Sequence, residues 1–201
     1  MRRGLLLLFI ALLGWGALSS WQRRAVTHAP GVLAPEAPVQ TNLVPHGALL
    51  QRGDITLTTR ARFTLTARVL SREDYAWDDG ASLVPTDLAL GWGRMSDSAV
   101  LAKLEIGQSA RFYYWRTREF PIPAREIETS SANMHLIPAD DSVRRAIKRV
   151  RAGQIIHLEG FLVDARRPDG WHWNTSMTRN DTGDGACELV YVEDLEPVTA
   201  R

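Results

Sequence analysis

The hydrophobic and polar positions of this chain divide it into three parts. Residues 4–21 are almost all apolar, residues 25–51 show no apolar period, and the remainder alternates as strands do. A pair of arginines precedes the apolar part and another pair follows it, which is typical of segments that the export machinery recognises. We therefore predict an export or membrane segment at 1–24, a tether at 25–51 and a single domain at 52–201.

The apolar segment has two alternative fates. The triplet Ala17-Leu18-Ser19 supplies the small residues that a signal-peptide cleavage site needs. Residues 4–21 also approach the roughly 20 residues of a spanning helix, and Trp15 and Trp21 suit the membrane interface. We expect retention, which places the chain in the inner membrane by a single N-terminal span with its domain in the periplasm. The alternative is a cleaved, soluble periplasmic protein.

The segment at 25–51 is rich in proline, with Pro30, Pro35, Pro38 and Pro45 among small and polar residues. Such a composition buries too little apolar surface to offset the entropy of ordering the chain. It predicts an extended tether that lifts the domain off the membrane. An ordered arm packed along the domain is the alternative.

Within the domain, alternation of apolar and polar residues predicts strands. In 55–70, one series of buried positions begins at Ile55 and a second begins at Phe63, with a phase change between them. Further strand patterns occupy 109–116, 154–164, 171–177 and 187–192. The domain is therefore expected to contain at least five strands.

Helical signals are fewer than strand signals. Asp140 or Asp141 can cap a helix that continues to Val150, and Gly153 stands where a left-handed terminator belongs. A second short helix is predicted at 85–90. The fold class is α+β, a small, strongly bent antiparallel β-sheet or barrel with one or two helices, preceded by an N-terminal hydrophobic helix.

Charge and cysteine content narrow the function classes. Lysine and arginine number 24 against 23 acidic residues, a formal charge of +1, so no global field recruits nucleic acid and we expect no nucleic-acid partner. The predicted helix carries Arg144, Arg145, Lys148 and Arg149 on one side. That face suits lipid headgroups or nucleic acid, but a solvated helix surface is the commoner explanation. Cys187 is the single cysteine, which excludes a disulfide within the chain.

Two glycine-rich loops are candidate binding surfaces. In TDLALGWGRMSD (86–97), two glycines flank Trp92, which is either a core plug or an exposed platform. Asp87 and Asp97 lie at the two ends of this segment. They are interpreted either as a carboxylate pair or, preferably, as caps of short helices. The second loop, TRNDTGDGACE (178–188), contains Arg179 and Asp181. We predict binding residues Trp92, Asp97, Arg179 and Asp181.

Metal and protease motifs in the second loop are incomplete. It imitates the first half of a calcium loop, but Tyr191 occupies the twelfth position, where a bidentate glutamate is needed. The triplet at 181–183 resembles that of the aspartic proteases over three residues only, without the apolar strand that precedes it in that family. The histidines are scattered, without ligand spacing. We expect no metal and no cofactor.

A nucleophilic site is the remaining chemical hypothesis. Cys187, His135 and Arg179 offer a thiol, a base and a cation. The order of histidine and cysteine, with the strand at 154–164, resembles the sortase transpeptidases, which implies a thioacyl intermediate and an arginine that steadies the oxyanion. In sortases the arginine follows the cysteine, whereas Arg179 precedes Cys187. A buried, inert thiol is the preferred interpretation.

Residues 63–193 resemble exported or membrane-anchored proteins of Gram-negative bacteria that have no known activity. The resemblance lies in the segments RVLSREDY, DLALGWGRMSD, NMHLIPA and TRNDTGDGACE. This resemblance implies the location alone. We expect a membrane-anchored periplasmic domain that binds a partner protein or an envelope component, such as the cell wall, without catalysis. The alternative is a cysteine-dependent transpeptidase or hydrolase that uses Cys187 and His135.

Overall fold

The structure is a computed structural model that describes residues 24–44, 47–183 and 185–198. The predicted hydrophobic helix at 1–24 lies outside these residues, apart from Arg24. None of the helices in the described ranges has the length and apolarity to cross a membrane. The described chain is mostly β-sheet with few helices, in agreement with a β-rich α+β class.

The elements follow one another along the chain with strands in the majority. The strands are β1 Val39–Asn42, β2 Leu49–Arg52, β3 Ile55–Asp74, β4 Thr86–Gly91, β5 Glu105–Ser109, β6 Phe112–Arg116, β7 Ser131–Pro138, β8 Ile155–Arg166, β9 His172–Trp173 and β10 Glu188–Val198. The helices are α1 Ser98–Leu101, α2 Ala124–Thr129 and α3 Asp141–Arg149, with a 3₁₀ turn at Gly93–Ser96.

Five strands pair in a closed ring. The order is β3, β4, β7, β10 and β8, and β8 pairs again with β3. The pairs of this ring are antiparallel as predicted, with one exception, since β7 and β10 run parallel. One exception is unavoidable, because strand direction cannot alternate all the way around a closed ring of five strands, and it falls where β10 lies between β7 and β8.

The long strand β3 changes face part-way along its length. Its register against β8 shifts between Thr59 and Ala61, which is a β-bulge. Before the bulge, Ile55 and Leu57 pack on the outer side of the ring. After it, residues such as Phe63 point into the interior. An extra residue reverses the facing of all that follow, so odd-numbered residues are buried on the outer side before the bulge and in the interior after it. The alternation along the sequence runs on unchanged through this point, so the reversal comes from the bulge and not from a phase change in the pattern.

The interior of the ring is a continuous apolar core that α3 closes at one end. The side chain of Asp140 accepts hydrogen bonds from the N–H groups of Ser142 and Val143, as the capping signal predicted. Ile147 on this helix is buried in the same interior cluster, and the helix packs against β7 and β10. Gly160 on β8 permits the closest strand approach, because a Cβ there would lie 2.0 Å from the carbonyl oxygen of Tyr191.

The predicted helix at 85–90 is wrong, because this segment is the central strand β4. All six residues of β4 are buried, and it pairs on both sides, with β3 and with β7. A run this short carries too little periodicity to separate helix from strand, so pairing with its neighbours decides its structure.

The proline-rich segment lies along the domain as an ordered arm, the second of the two alternatives. The N–H of Val26 donates to the carbonyl oxygen of Ala152 at 2.8 Å. The N–H of Ala34 donates to Oγ of Ser96 at 3.0 Å. Further on, β1 and β2 both pair with β3. The arm therefore belongs to the fold rather than standing apart from it.

Candidate functional site

A buried carboxyl–imidazole pair lies on the outer face of β4 and β7. Asp87 and His135 stand opposite each other in the register of these strands. Both are buried, with Nδ1 of His135 at 2.9 Å from Oδ1 of Asp87. This contact lacks hydrogen-bond geometry, so Nδ1 of His135 and Oδ2 of Asp87 have no hydrogen-bond partner among the described residues. On its other side, the imidazole packs against the ring of Trp173 at 4.5 Å.

Arg111 covers this pair from the hairpin formed by β5 and β6. Its Nη1 donates to Oδ1 of Asp87 at 2.9 Å and to the carbonyl oxygen of Val84 at 3.0 Å. Its Nε and Nη2 donate to the two carboxylate oxygens of Asp78 at 3.1 and 2.8 Å. The guanidinium also lies 3.6 Å from the ring centre of Tyr75. One side chain thus joins the hairpin, the loop at 75–85 and the barrel.

The hairpin turn itself holds a strained backbone. Ala110 and Arg111 have positive φ angles of 50° and 71°, a conformation that glycine usually supplies. The backbone of Arg111 is fixed on both sides. Its N–H donates to the hydroxyl of Tyr75 at 3.0 Å, and its carbonyl accepts from Nδ2 of Asn133 at 2.9 Å. Such strain persists only where the surroundings determine the geometry.

The structure brings Cys187 and His135 to the same outer face. Leu189 pairs with His135, so Cys187 is displaced by two residues along β10 and lies beside Asn133. Burial, followed by the negative charge of Glu188, raises the pKa of the Cys187 thiol to about 12. The thiol therefore stays protonated at neutral pH, which is the opposite of what a nucleophilic cysteine requires.

Arg179 lies on the other side of β10, away from Cys187. Its Nε is 2.6 Å from Oε1 of Glu188, and its guanidinium lies 5.5 Å from the ring centre of the interior Phe63. The contact with Arg179 favours the ionised carboxylate, but burial outweighs it and raises the pKa of Glu188 to about 8. Arg179 is thus engaged inside the barrel and does not join Cys187 and His135.

The other predicted binding residues hold the fold. Trp92 is buried in the interior core, so its ring is not a platform. Asp97 accepts from the N–H of Gly31 at 2.9 Å and from that of Ala99 at 2.8 Å, and these two bonds lower its pKa. The capping prediction is confirmed for Asp97, whereas Asp87 lies in a strand. Asp181 accepts a hydrogen bond from the hydroxyl of Ser176 at 2.7 Å, within its own loop.

Exposed aromatic rings flank the Arg111 network. Trp77 is 99% exposed and directly precedes Asp78, while Phe112, 37% exposed, directly follows Arg111. Tyr114 is 51% exposed, and its ring centre lies 6.4 Å from that of Phe112. We name Trp77, Phe112 and Tyr114 the aromatic surface. Two cavities of the domain, of about 470 and 290 Å³, are lined by other residues.

Sequence reasoning missed this surface. A signal was present in β6, where Phe112 and Tyr114 alternate with Tyr113 and Trp115, so that one pair of rings must face away from the domain. Trp77 had no such signal, since a tryptophan in a loop is equally compatible with a buried position.

Within residues 24–44, 47–183 and 185–198, no group of three or more histidine, cysteine, aspartate or glutamate side chains is arranged to hold a metal. Compared with protein-family models, with curated proteins and with solved structures, the chain matches none of them.

Proposed function

We propose that this chain is a non-enzymatic binding domain that recognises a partner protein of the bacterial envelope through the aromatic surface. The N-terminal apolar segment holds it at the inner membrane, with the domain in the periplasm. The observation that carries the proposal is the exposure of Trp77, Phe112 and Tyr114 on either side of the rigid Arg111 network.

The chemistry of the aromatic surface favours a protein partner. Tryptophan and tyrosine dominate the binding energy of protein interfaces, where each fills a pocket on the opposite side. These rings project from a hairpin and a loop rather than line a cavity, so the partner supplies the pocket. The bonds of Arg111 fix the hairpin before binding, which lowers the entropy cost of association.

The strand order offers support by analogy. A five-stranded ring with a helix between its third and fourth strands matches the connectivity of OB-fold barrels, which bind ligands on the face of their second and third strands and on the adjoining loops. In this chain those elements are β4 and β7 with the loops at 75–85 and 167–187. The aromatic surface adjoins the same region. The analogy concerns the fold alone.

A photo-activatable amino acid tests the proposal in living cells. Placed at Trp77 or Tyr114, it is expected to crosslink the full chain to one discrete envelope protein. The matched control is Phe120, an aromatic residue that is 58% exposed but lies beyond the far end of β6. Equal crosslinking from all three positions would show contact without recognition and refute the proposal.

The competing function is a cysteine-dependent transferase or hydrolase. The enzymatic function can be tested by the reactivity of Cys187, because a nucleophilic thiolate reacts with small alkylating reagents at neutral pH. With its pKa raised to about 12, we expect Cys187 to remain unmodified in the native protein and to react on unfolding. Rapid alkylation of the native protein would instead support the enzyme.

Location is tested separately. A reporter that is active only after export, fused to the C-terminus, is expected to be active. A fusion that is active only in the cytoplasm would contradict the periplasmic assignment.

A further inference from the structure

Helix α3 carries a basic face that the proposed function does not use. Between residues 142 and 153 the chain has five cationic side chains and no carboxylate. These are Arg144, Arg145, Lys148, Arg149 and Arg151. The first four are exposed and Arg151 is half-buried. Within the described residues, only Arg144 of the five forms a salt bridge, with Asp141 at 3.6 Å.

The C-terminal end of α3 lies beside the point where the chain enters the domain. The N–H of Val26 donates to the carbonyl oxygen of Ala152 at 2.8 Å. Nε2 of His28 is hydrogen-bonded to the carbonyl oxygen of Gly153 at 2.9 Å. Gly153 has a φ of +84°, and a Cβ there would lie 1.9 Å from the carbonyl oxygen of Val26, so the two segments are closely packed.

This entry point limits the distance between α3 and the membrane. The apolar segment ends at Trp21, and five residues of extended chain reach at most about 18 Å to Val26. A helix the length of α3 is itself only about 14 Å long. The arm is bonded along the domain and cannot act as a spacer. An anchor at 4–21 therefore holds the C-terminal end of α3 within about 18 Å of the bilayer, a gap that a rotation of the domain about its anchor can close.

We propose that the basic face of α3 docks on the phosphate groups of anionic phospholipids in the membrane that holds the anchor. This inference rests on the proposed anchoring of residues 4–21. The occupant follows from the charge of the face and from its place beside the chain entry, because cationic side chains near an anionic bilayer gain attraction within a Debye length. Docking would seat the domain on the bilayer in one orientation instead of leaving it to rotate about its anchor.

The sequence has two lysines, Lys148 on the basic face and Lys103 outside it, so acylation of lysine can report whether the basic face is covered. The full chain is reconstituted in vesicles of phosphatidylcholine alone or with added phosphatidylglycerol, and a water-soluble amine reagent is applied. We expect acylation of Lys148, read by mass spectrometry, to slow several-fold in the anionic vesicles. Acylation of Lys103, which is exposed and paired with Glu119 at 3.3 Å, should not change. High salt should abolish the difference.

A charge variant provides the second measurement. Replacing Arg145→Gln and Arg149→Gln together removes two exposed cations without touching the buried side of α3, so circular dichroism should report an unchanged fold. The protection of Lys148 should then largely disappear. Protection that survives in this folded variant would overturn the proposal.

The anchor and the docking fail in different ways. If the full chain does not float with phosphatidylcholine vesicles, the anchor is absent. If it floats but Lys148 reacts at the same rate in both kinds of vesicle, the anchor stands and the docking is refuted. Protection of Lys148 by an added oligonucleotide, without any effect of anionic lipid, would identify nucleic acid as the occupant and refute lipid docking as well.

Discussion

Two buried contacts between an arginine and a carboxylate, one outside the barrel and one inside, differ in how fully they are satisfied. Outside, Arg111 and Asp87 belong to a network that includes Asp78, a backbone carbonyl and an aromatic ring. Inside, Arg179 touches Glu188, but neither carboxylate oxygen of Glu188 has a hydrogen-bond partner among the described residues, and Nε and Nη1 of Arg179 also lack one.

This difference shows that the distance between opposite charges does not by itself decide how much a buried pair contributes to the stability of the fold. Removing two ions from water costs several kcal/mol per ion, and their attraction compensates only when further hydrogen bonds complete the network. The outer pair comes nearer to this condition, although Oδ2 of Asp87 still has no partner among the described residues, and it fixes the hairpin that carries Phe112 and Tyr114. The inner pair does not, and burial shifts Glu188 toward its neutral form.

The largest expected effect comes from breaking the outer network. Arg111→Ala leaves Asp87 fully buried without its cation, so we expect a loss of about 3–5 kcal/mol in the free energy of unfolding, measured with urea. The matched control is Arg116→Ala in the same hairpin, whose ion pair with Glu105 is exposed and should contribute less than about 1 kcal/mol. Similar losses from both variants would contradict the contrast.

The inner pair should appear as a pH dependence. Burial raises the pKa of Glu188 from 4.5 to about 8, so the folded state holds a proton that unfolding releases. The stabilisation of the folded state by this proton is fully present below pH 4.5 and is lost progressively as the pH rises to about 8. Above that pH, Glu188 causes no further change in stability. We expect a decline of up to about 5 kcal/mol, measured by urea unfolding at several pH values. Glu188→Gln should remove it, whereas Glu159→Gln, at a half-exposed carboxylate, should not.

Apolar replacement of both pairs sharpens the comparison. Arg179→Met with Glu188→Leu removes two poorly satisfied groups, so we expect stability to stay constant or to rise by up to about 2 kcal/mol. Arg111→Met with Asp87→Leu abandons the bonds to Asp78 and Val84 and should destabilise. Melting temperatures of the two double variants give the comparison, and a gain from both would mean that the outer network adds nothing to stability.

The smallest effect concerns one hydrogen bond of the hairpin turn. Tyr75→Phe removes the acceptor of the Arg111 N–H and keeps the ring beneath the guanidinium, so we expect a loss of about 1 kcal/mol. Tyr114→Phe is the control, because its hydroxyl makes only a long, exposed contact of 3.4 Å with the carbonyl of Ser109. Chemical denaturation of both variants measures the difference, and a larger loss from Tyr114→Phe would go against it.

Local signals predicted the parts of the fold that depend on local periodicity. The alternation of β3 and the capped helix α3 were visible because each depends on residues close in sequence. The segment β4 was not, because its state follows from strands on both sides. The candidate site likewise has a part that local sequence predicts and a part that depends on distant contacts. His135 and Cys187 were recognised from their reactive side chains. The role of Arg111 was not, because it depends on a hairpin turn that brings Arg111 against Asp87, 24 residues away.

By itself, the sequence determined the β-rich class, the position of α3 and its basic face, because these follow from side-chain type and spacing. Only the tertiary structure decided that Trp92 is buried while Trp77 is exposed, since each stands beside glycine or aspartate residues that are typical of turns. It also decided that the proline-rich segment packs on the domain. The physical reason is that burial and ion pairing depend on which distant segments meet, and no local pattern encodes that meeting.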